Sequence, residues 1–148
     1  MSIDIHRTTW QADAARIKSV RVPVFVEEQG VSFDEDFDGS DEPCVHALAV
    51  SDGRAVGTGR VDLQGRIGRI AVLTPYRGQG IGASLVRYLV AVSRQQGLPG
   101  VYLHAQCAAE AFYAGLGFYS TGEVFLDANI EHVRMNFDFV QSHGNGTS

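Results

Sequence analysis

The run Gly68-Arg69-Ile70-Ala71-Val72-Leu73-Thr74-Pro75-Tyr76-Arg77-Gly78-Gln79-Gly80-Ile81-Gly82 carries the clearest chemistry in the chain. An apolar strand enters, glycines follow at alternate positions 78, 80 and 82, and an amphipathic helix leaves. Glycine lets the backbone approach a ligand with no Cβ in the way, and the unbonded N–H groups of a helix's first turn gather at its positive end. That geometry binds phosphate, and Arg77 adds a full charge beside it. The 17 glycines of the chain are concentrated between Gly53 and Gly122, which marks this stretch as one where backbone geometry is specified.

Several devices use such a loop. A P-loop needs Gly-Lys-Ser/Thr, whereas Gly82 is followed by Ala83-Ser84, with no lysine to reach a terminal phosphate. The dinucleotide fingerprint is loosely matched by Gly78, Gly80 and Ala83. That fold, however, puts its loop after the first strand and an acid about 20 residues later. Here the loop follows an antiparallel meander, and the next strand ends in Gln106. A nicotinamide-dependent oxidoreductase stays as a rival reading. A plain tight turn accounts for one or two of the glycines but not for three at alternate positions.

At these residues the chain resembles the GCN5-related N-acetyltransferase (GNAT) superfamily. Its cofactor motif, Gln/Arg-x-x-Gly-x-Gly/Ala, stands as Arg77-Gly78-Gln79-Gly80-Ile81-Gly82. A second motif is similar over Gln106-Cys107-Ala108-Ala109-Glu110-Ala111-Phe112-Tyr113-Ala114-Gly115-Leu116-Gly117-Phe118. Three further pieces resemble the bacterial ElaA/YjcF-like subgroup: Val24 to Gln29, the acidic stretch running into His46, and Ile130 to Met135. The resemblance implies acetyl-CoA as co-substrate. Ile70, Ala71 and Val72 would pair with the pantetheine arm like an added strand, which requires a sheet splayed open beside them. The N–H groups of Gly78, Gln79, Gly80, Ile81, Gly82 and Ala83 would hold the diphosphate next to Arg77, and Phe112 and Tyr113 would complete the site. Where relatives often place Asn seven residues before the tyrosine, this chain has Gln106, one carbon longer.

Acetyl transfer to an amine needs a donor for the developing oxyanion, an acid for the departing thiolate and a sink for the amine proton. The resemblance gives the first role to the backbone N–H of Val72 and the second to the phenol of Tyr113, whose ordinary pKa near 10 lies above that of a thiol. The base is open. An aliphatic amine is roughly 0.04% neutral at pH 7. Some relatives use a glutamate where this chain has Val101. Glu28, Asp36 and His132 are the candidates left, each with an ordinary structural role as the alternative; His46, His104 and His143 read as structural. Cys107 beside Gln106 has no evident histidine partner to make it a nucleophile. A non-catalytic acyl-CoA sensor is the second reading, favoured by the missing carboxylate at position 101.

Six acids crowd the stretch Asp34 to Glu42. Asp34, Asp36, Asp38 and Gly39 copy the start of an EF-hand loop, but its twelfth position is Val45 and an apolar strand follows, so calcium is not expected. Cys44-x-His46 falls short of a zinc set, and no metal is expected. The stretch reads as a loop, either simply solvated or guarding an acceptor cleft where its local negative field would favour a cationic amine. The acceptor is expected to be a small molecule or a peptide; a homodimer is left open.

Stepping from these residues to the elements that must hold them, Ile3 to Arg7 reads as a strand, and Thr9 precedes a helix through Trp10, Ala14, Ile17, Val20 and Val24 that Pro23 should kink or restart. Val45 to Val50, Ala55 to Leu63 and Arg66 to Leu73 form a meander turned at Asp52-Gly53 and Gln64-Gly65. Ile81, Leu85, Leu89 and Val92 line a helix face, Val101 to Ala105 is a strand, and Ala108 to Leu116 a short helix. Tyr119 to Leu126 and Ile130 to Phe139 pair as a hairpin. The expected fold is α+β: a GNAT-like domain over 1–140 with a mixed, mostly antiparallel sheet of about seven strands flanked by helices, then a disordered tail over 141–148. In the 148 residues the formal charge is −5 and 45% are apolar, so duplex nucleic acid and anionic membranes are not expected partners. The N-terminal residues show no export leader, and a cytoplasmic location with reduced thiols is expected.

Overall fold

The computed structural model describes residues 2–139; the tail expected over 141–148, and His143 with it, lies outside them. Strand β1 (Asp4–Thr8) leads into helix α1 (Trp10–Arg21), whose N-cap Thr9 accepts from the Ala12 N–H at 3.1 Å. Pro23 neither stops nor kinks the helix. Over Val22–Glu28 the helix widens to a π turn, closed by the Gln29 N–H donating to the Val24 carbonyl at 3.1 Å. A proline removes an i→i−4 donor, and the wider spacing accommodates that loss. A four-residue helix α2 (Phe33–Asp36) then sits in what the sequence reads as a loop, started by a capping box between Ser32 and Glu35.

Strands β2 (Val45–Ser51), β3 (Arg54–Val61) and β4 (Ile67–Val72) form the meander, joined in the order β1-β2-β3-β4. The Asp52-Gly53 turn has φ of 50° and 79°, the left-handed pair a two-residue hairpin needs. Helix α3 (Ile81–Gln95) buries Ile81, Leu85, Leu89 and Val92 as its periodicity predicts. Strand β5 (Gly100–Gln106), helix α4 (Glu110–Ala114) and the hairpin β6 (Tyr119–Asp127) and β7 (Ile130–Asp138) follow. The expected seven strands are present, but as two antiparallel sheets, with the second ordered β5-β7-β6.

The two sheets meet through one parallel bridge, Arg66 with Tyr102, where the Tyr102 N–H donates to the Gly65 carbonyl at 3.0 Å. Beyond it β4 and β5 diverge, and among the described residues no strand pairs with the β5-facing edge of Ile70 to Val72. Register along β3 and β4 also breaks there. Val72 and Ala71 face Gly57 and Thr58, whereas Gly68 faces Arg60, so β4 carries one extra residue. Arg69 takes it up with φ of 52°, a left-handed conformation that costs a non-glycine residue roughly 1–2 kcal/mol.

Each face of the first sheet has its own core. α3 packs on Ala47, Ala49 and Val56, and α1 packs on Leu48, Ala55 and Ala71. α3 lies close because β3 is small there. A Cβ on Gly57 would come within 3.1 Å of Leu85 Cδ1, and one on Gly59 within 2.4 Å of Ile70 Cδ1. The second sheet is capped on one face by the α3 side of the core through Leu103, Val133 and Met135.

Candidate active-site cleft

The divergence of the sheets opens a cleft of about 410 Å³. One wall is the edge Ile70, Ala71 and Val72; the floor is Arg77, Gly78, Gly80, Ile81, Gly82 and Ala83; Phe112 closes the side nearest β5. Val24, Gln29 and Tyr76 complete the lining and are absent from the sequence reading. The signals for them are the Pro23 that widens α1, and the Thr74-Pro75 step that starts a short 3₁₀ turn over Thr74–Tyr76. Of the sequence-assigned cofactor residues, Gln79, Gln106 and Tyr113 do not line the cleft.

The floor has the geometry of an anion site. Gly80 caps α3 at φ of 82° with no side chain to bond the helix, and the first helical bond returns from the Ser84 N–H to the Gly80 carbonyl at 3.0 Å. The N–H groups of Ile81, Gly82 and Ala83 are therefore without helical acceptors. Gly78 and Gly80 sit at φ of 81° and 82° with nothing within 4 Å of where a Cβ would stand, so the concavity is open to a ligand. A diphosphate fits this donor set, and the positive helix end favours it.

The wall is as specific. The Leu73 N–H donates to the Val56 carbonyl at 2.9 Å, so by strand alternation the Val72 N–H and carbonyl face the cleft. Arg77 takes that carbonyl with Nε at 2.9 Å and spreads its two terminal nitrogens on Glu28, at 2.8 and 2.7 Å. The end of the π turn, the glycine loop and β4 are thereby tied across the cleft mouth. Glu28, read from the sequence as a candidate base, is a hydrogen-bonded partner of Arg77, which holds its carboxyl below the usual range. A carboxylate so engaged accepts a proton poorly.

Asp36 is corrected more strongly. It is 2% exposed, with Oδ2 at 3.2 Å from Arg21 Nε and Oδ1 at 3.0 Å from Arg69 Nε, and so is not free to receive a proton from an acceptor. Asp41 is buried likewise, between Arg21 and Arg60, each at 2.6 Å. Burial alone would raise the Asp41 carboxyl, and the hydrogen bonds and charges of the two arginines outweigh it and hold it below its usual value. Two of the six acids of the loop are thus spent on three guanidinium groups, which the run of acids taken alone does not reveal. The ring of His46 accepts or donates at the Asp41 carbonyl, 2.9 Å away, and burial pushes its pKa down.

Tyr113 is half-buried on the α3 side, its ring 5.0 Å from Phe112 and 6.1 Å from Phe118, and burial pushes its phenol pKa up. Its carbonyl accepts from the Leu116 and Phe118 N–H groups, closing the turn that follows α4. His132 stands opposite Gln106 at the end of β5, stacked on Phe125 at 5.8 Å. Its Nδ1 lies 2.8 Å from the Ile130 carbonyl, an acceptor only, so Nδ1 donates and Nε2 keeps the lone pair in the neutral ring. Cys107 is a free thiol, raised above its usual pKa by desolvation and by Glu131 and Glu110, hence not a standing thiolate. No group of metal-ligating side chains is found among the described residues.

A loop that follows the fourth strand of an antiparallel sheet does not fit the dinucleotide fold, whose fingerprint follows the first strand of a parallel one. The comparisons agree. The family model described as an acetyltransferase (GNAT) domain matches residues 17–139. The Bacillus subtilis (strain 168) protein YyaT is 37% identical over 139 residues, covering 90% of this chain and 94% of its own. The crystal structure of an acyl-CoA N-acyltransferase from Pseudomonas aeruginosa aligns with a TM-score of 0.81 at 30% identity, covering 92% of this chain and 99% of that one. Escherichia coli ElaA aligns with a TM-score of 0.80 at 26% identity over 93% and 100% of the two chains.

Proposed function

This chain belongs to the GNAT acetyltransferase family, and on that premise we propose that it moves acetyl from acetyl-CoA to a primary amine, of a small molecule or a peptide, by direct attack. The observation that carries the reading is the pairing of an open β4 edge with the unbonded N-terminus of α3 in one cleft. The acyl-CoA named for the 30%-identical Pseudomonas aeruginosa enzyme supports the donor.

Acetyl-CoA supplies a thioester, an acyl carbon with a good leaving group. The chain's own residues hold and polarise it. The N–H groups of Gly78 to Ala83 bind the diphosphate, and Ile70 to Val72 offer strand-like hydrogen bonds to the amide-bearing arm. The Val72 N–H, facing the cleft, donates to the carbonyl oxygen as it gains charge. Tyr113 protonates the departing sulfur, and its raised pKa keeps the phenol protonated for that step. With Glu28 and Asp36 engaged by arginines, His132 Nε2 is the base of this reading, acting directly or through water.

Free thiol released from acetyl-CoA, measured against a panel of primary amines, tests the proposal. Wild type accelerates release with at least one amine, and Tyr113→Phe lowers kcat by roughly 10²–10⁴-fold. Full activity in Tyr113→Phe removes the phenol from the mechanism. A second reading, a non-catalytic acyl-CoA sensor, is favoured by the engagement of both candidate carboxylates. It predicts coenzyme A binding with no turnover on any amine.

A further inference from the structure

Arg69 occupies the one position where β4 must be distorted for its edge to serve the cleft. Its φ of 52° absorbs the extra residue that shifts register between Thr58 and Arg60 of β3. In a strand, a shift by one residue exchanges the two faces. The kink therefore sets which backbone groups of Ile70 and Val72 look into the cleft and which side chains reach α3. Nothing in the amino-acid type favours it, since arginine resists a left-handed backbone where glycine does not.

What holds Arg69 there comes from far along the chain. Its Nε is 3.0 Å from Asp36 Oδ1, an ion pair whose N–H is not aimed along the contact, and its Nη2 donates to the Glu35 carbonyl at 3.4 Å. Asp36 is itself fixed, 2% exposed, with Arg21 bonded both to its carboxylate and, at 2.7 Å, to its carbonyl. Arg21 belongs to α1, the helix whose continuation supplies Val24 and Gln29 to the cleft. Neither Asp36 nor Arg69 lines the cleft, so their effect on a ligand is carried by the backbone.

We infer that the Asp36–Arg69 pair is a positioning device that locks the left-handed kink of β4 and so presents the cofactor edge, making the acidic segment a determinant of acetyl-CoA affinity. The inference rests on the proposed use of that edge by acetyl-CoA. Without the lock the kink relaxes toward ordinary extended strand and must be restored on binding, which weakens affinity by roughly five- to thirtyfold.

The test compares Arg69→Ala, Arg69→Gly, Asp36→Asn and the Asp36→Asn/Arg69→Gly double variant in the full chain, by KM for acetyl-CoA, calorimetric coenzyme A affinity, backbone NMR shifts at residue 69 and thermal melting. Arg69→Ala raises KM and the dissociation constant roughly five- to thirtyfold, with the larger share of the effect in KM rather than kcat. Arg69→Gly, which takes φ of 52° without strain, recovers most of the loss and keeps the left-handed shift signature. Asp36→Asn weakens binding when Arg69 is present and adds nothing in the Arg69→Gly background. Equal weakening by alanine and glycine, or an undiminished Asp36→Asn effect in the glycine background, overturns the lock. If Asp36→Asn does not fold, the alanine–glycine comparison decides alone. Wild type that fails to bind coenzyme A overturns the cofactor reading instead, and the shift signature still reports whether Asp36 holds the kink.

Discussion

Gly59 is the narrowest point between the cofactor strand and the core. A Cβ there would stand 2.4 Å from Ile70 Cδ1 and 3.1 Å from Leu89 Cδ1. Carbon atoms sit comfortably at about 3.5–4.0 Å, so Gly59→Ala requires a displacement of about 1 Å. Leu89 is fully buried in the α3 core and cannot give, whereas Ile70 is part-exposed and lines the cleft. The strain therefore moves Ile70 into the space meant for the ligand. Overpacking of this kind costs about 1–3 kcal/mol. For a chain of this size that corresponds to a fall in Tm of about 2–12 °C, read by calorimetry or circular dichroism. Coenzyme A affinity falls with it. Ile70→Val removes the clashing Cδ1 and by itself costs about 0.5–1.5 kcal/mol. If the geometry is right, the Gly59→Ala/Ile70→Val double variant is more stable than Gly59→Ala alone, although each single change destabilises. A Gly59→Ala protein with wild-type Tm, or a double variant at or below the sum of the two losses, refutes the packing argument.

Gly65→Ala is expected to cost more than Gly59→Ala. Its φ of 92° disfavours any Cβ, and that Cβ would lie 2.8 Å from the Gly100 carbonyl, backbone that cannot swing away. The change loosens the joint between the two sheets, so melting and coenzyme A affinity should both drop; an unchanged Tm contradicts it. Asp41→Asn leaves Arg21 buried without a full partner and is expected to cost about 3–5 kcal/mol in chemical denaturation. Asp41 has its folded pKa held below the usual 3.8, so its contribution is present above that value and lost as pH falls through the folded pKa. The variant should show a shallower acid limb of stability, and an identical limb counts against the buried pair. Tyr113, raised by burial above 10, should give wild type an alkaline limb in kcat above that pH that is missing in Tyr113→Phe. The same limb in both proteins assigns it to another group.

Local patterns exposed the glycine loop, the apolar face of α3 and the Asp52-Gly53 hairpin, because each is decided within a few residues by backbone freedom or helical period. What stayed hidden depends on distant partners. The acids between Asp34 and Glu42 look solvated in isolation. Asp36 and Asp41 are nonetheless buried, because Arg21 precedes them by 15 and 20 residues and lies at the end of the helix packed against β3 and β4. Pro23 reads as a break, yet packing of Val24 under the sheet favours a widened turn over a stop. The division into two sheets hangs on the single Arg66–Tyr102 bridge, too small a feature to leave a mark on hydrophobic alternation. Within the Phe112-Tyr113 pair, the sequence motif assigns both residues to the site, but the structure turns Phe112 toward the cleft and Tyr113 against the core.

The central claim is that the α3 N-terminus and its glycines hold a diphosphate while β4 holds the arm attached to it. Calorimetric titration of wild type with coenzyme A, and in parallel with pantetheine, which has the arm but no diphosphate, addresses it directly. The account predicts micromolar binding of coenzyme A, on the order of −7 to −8 kcal/mol, with pantetheine weaker by at least about a hundredfold. No heat at millimolar coenzyme A, or equal affinity for the two ligands, contradicts it.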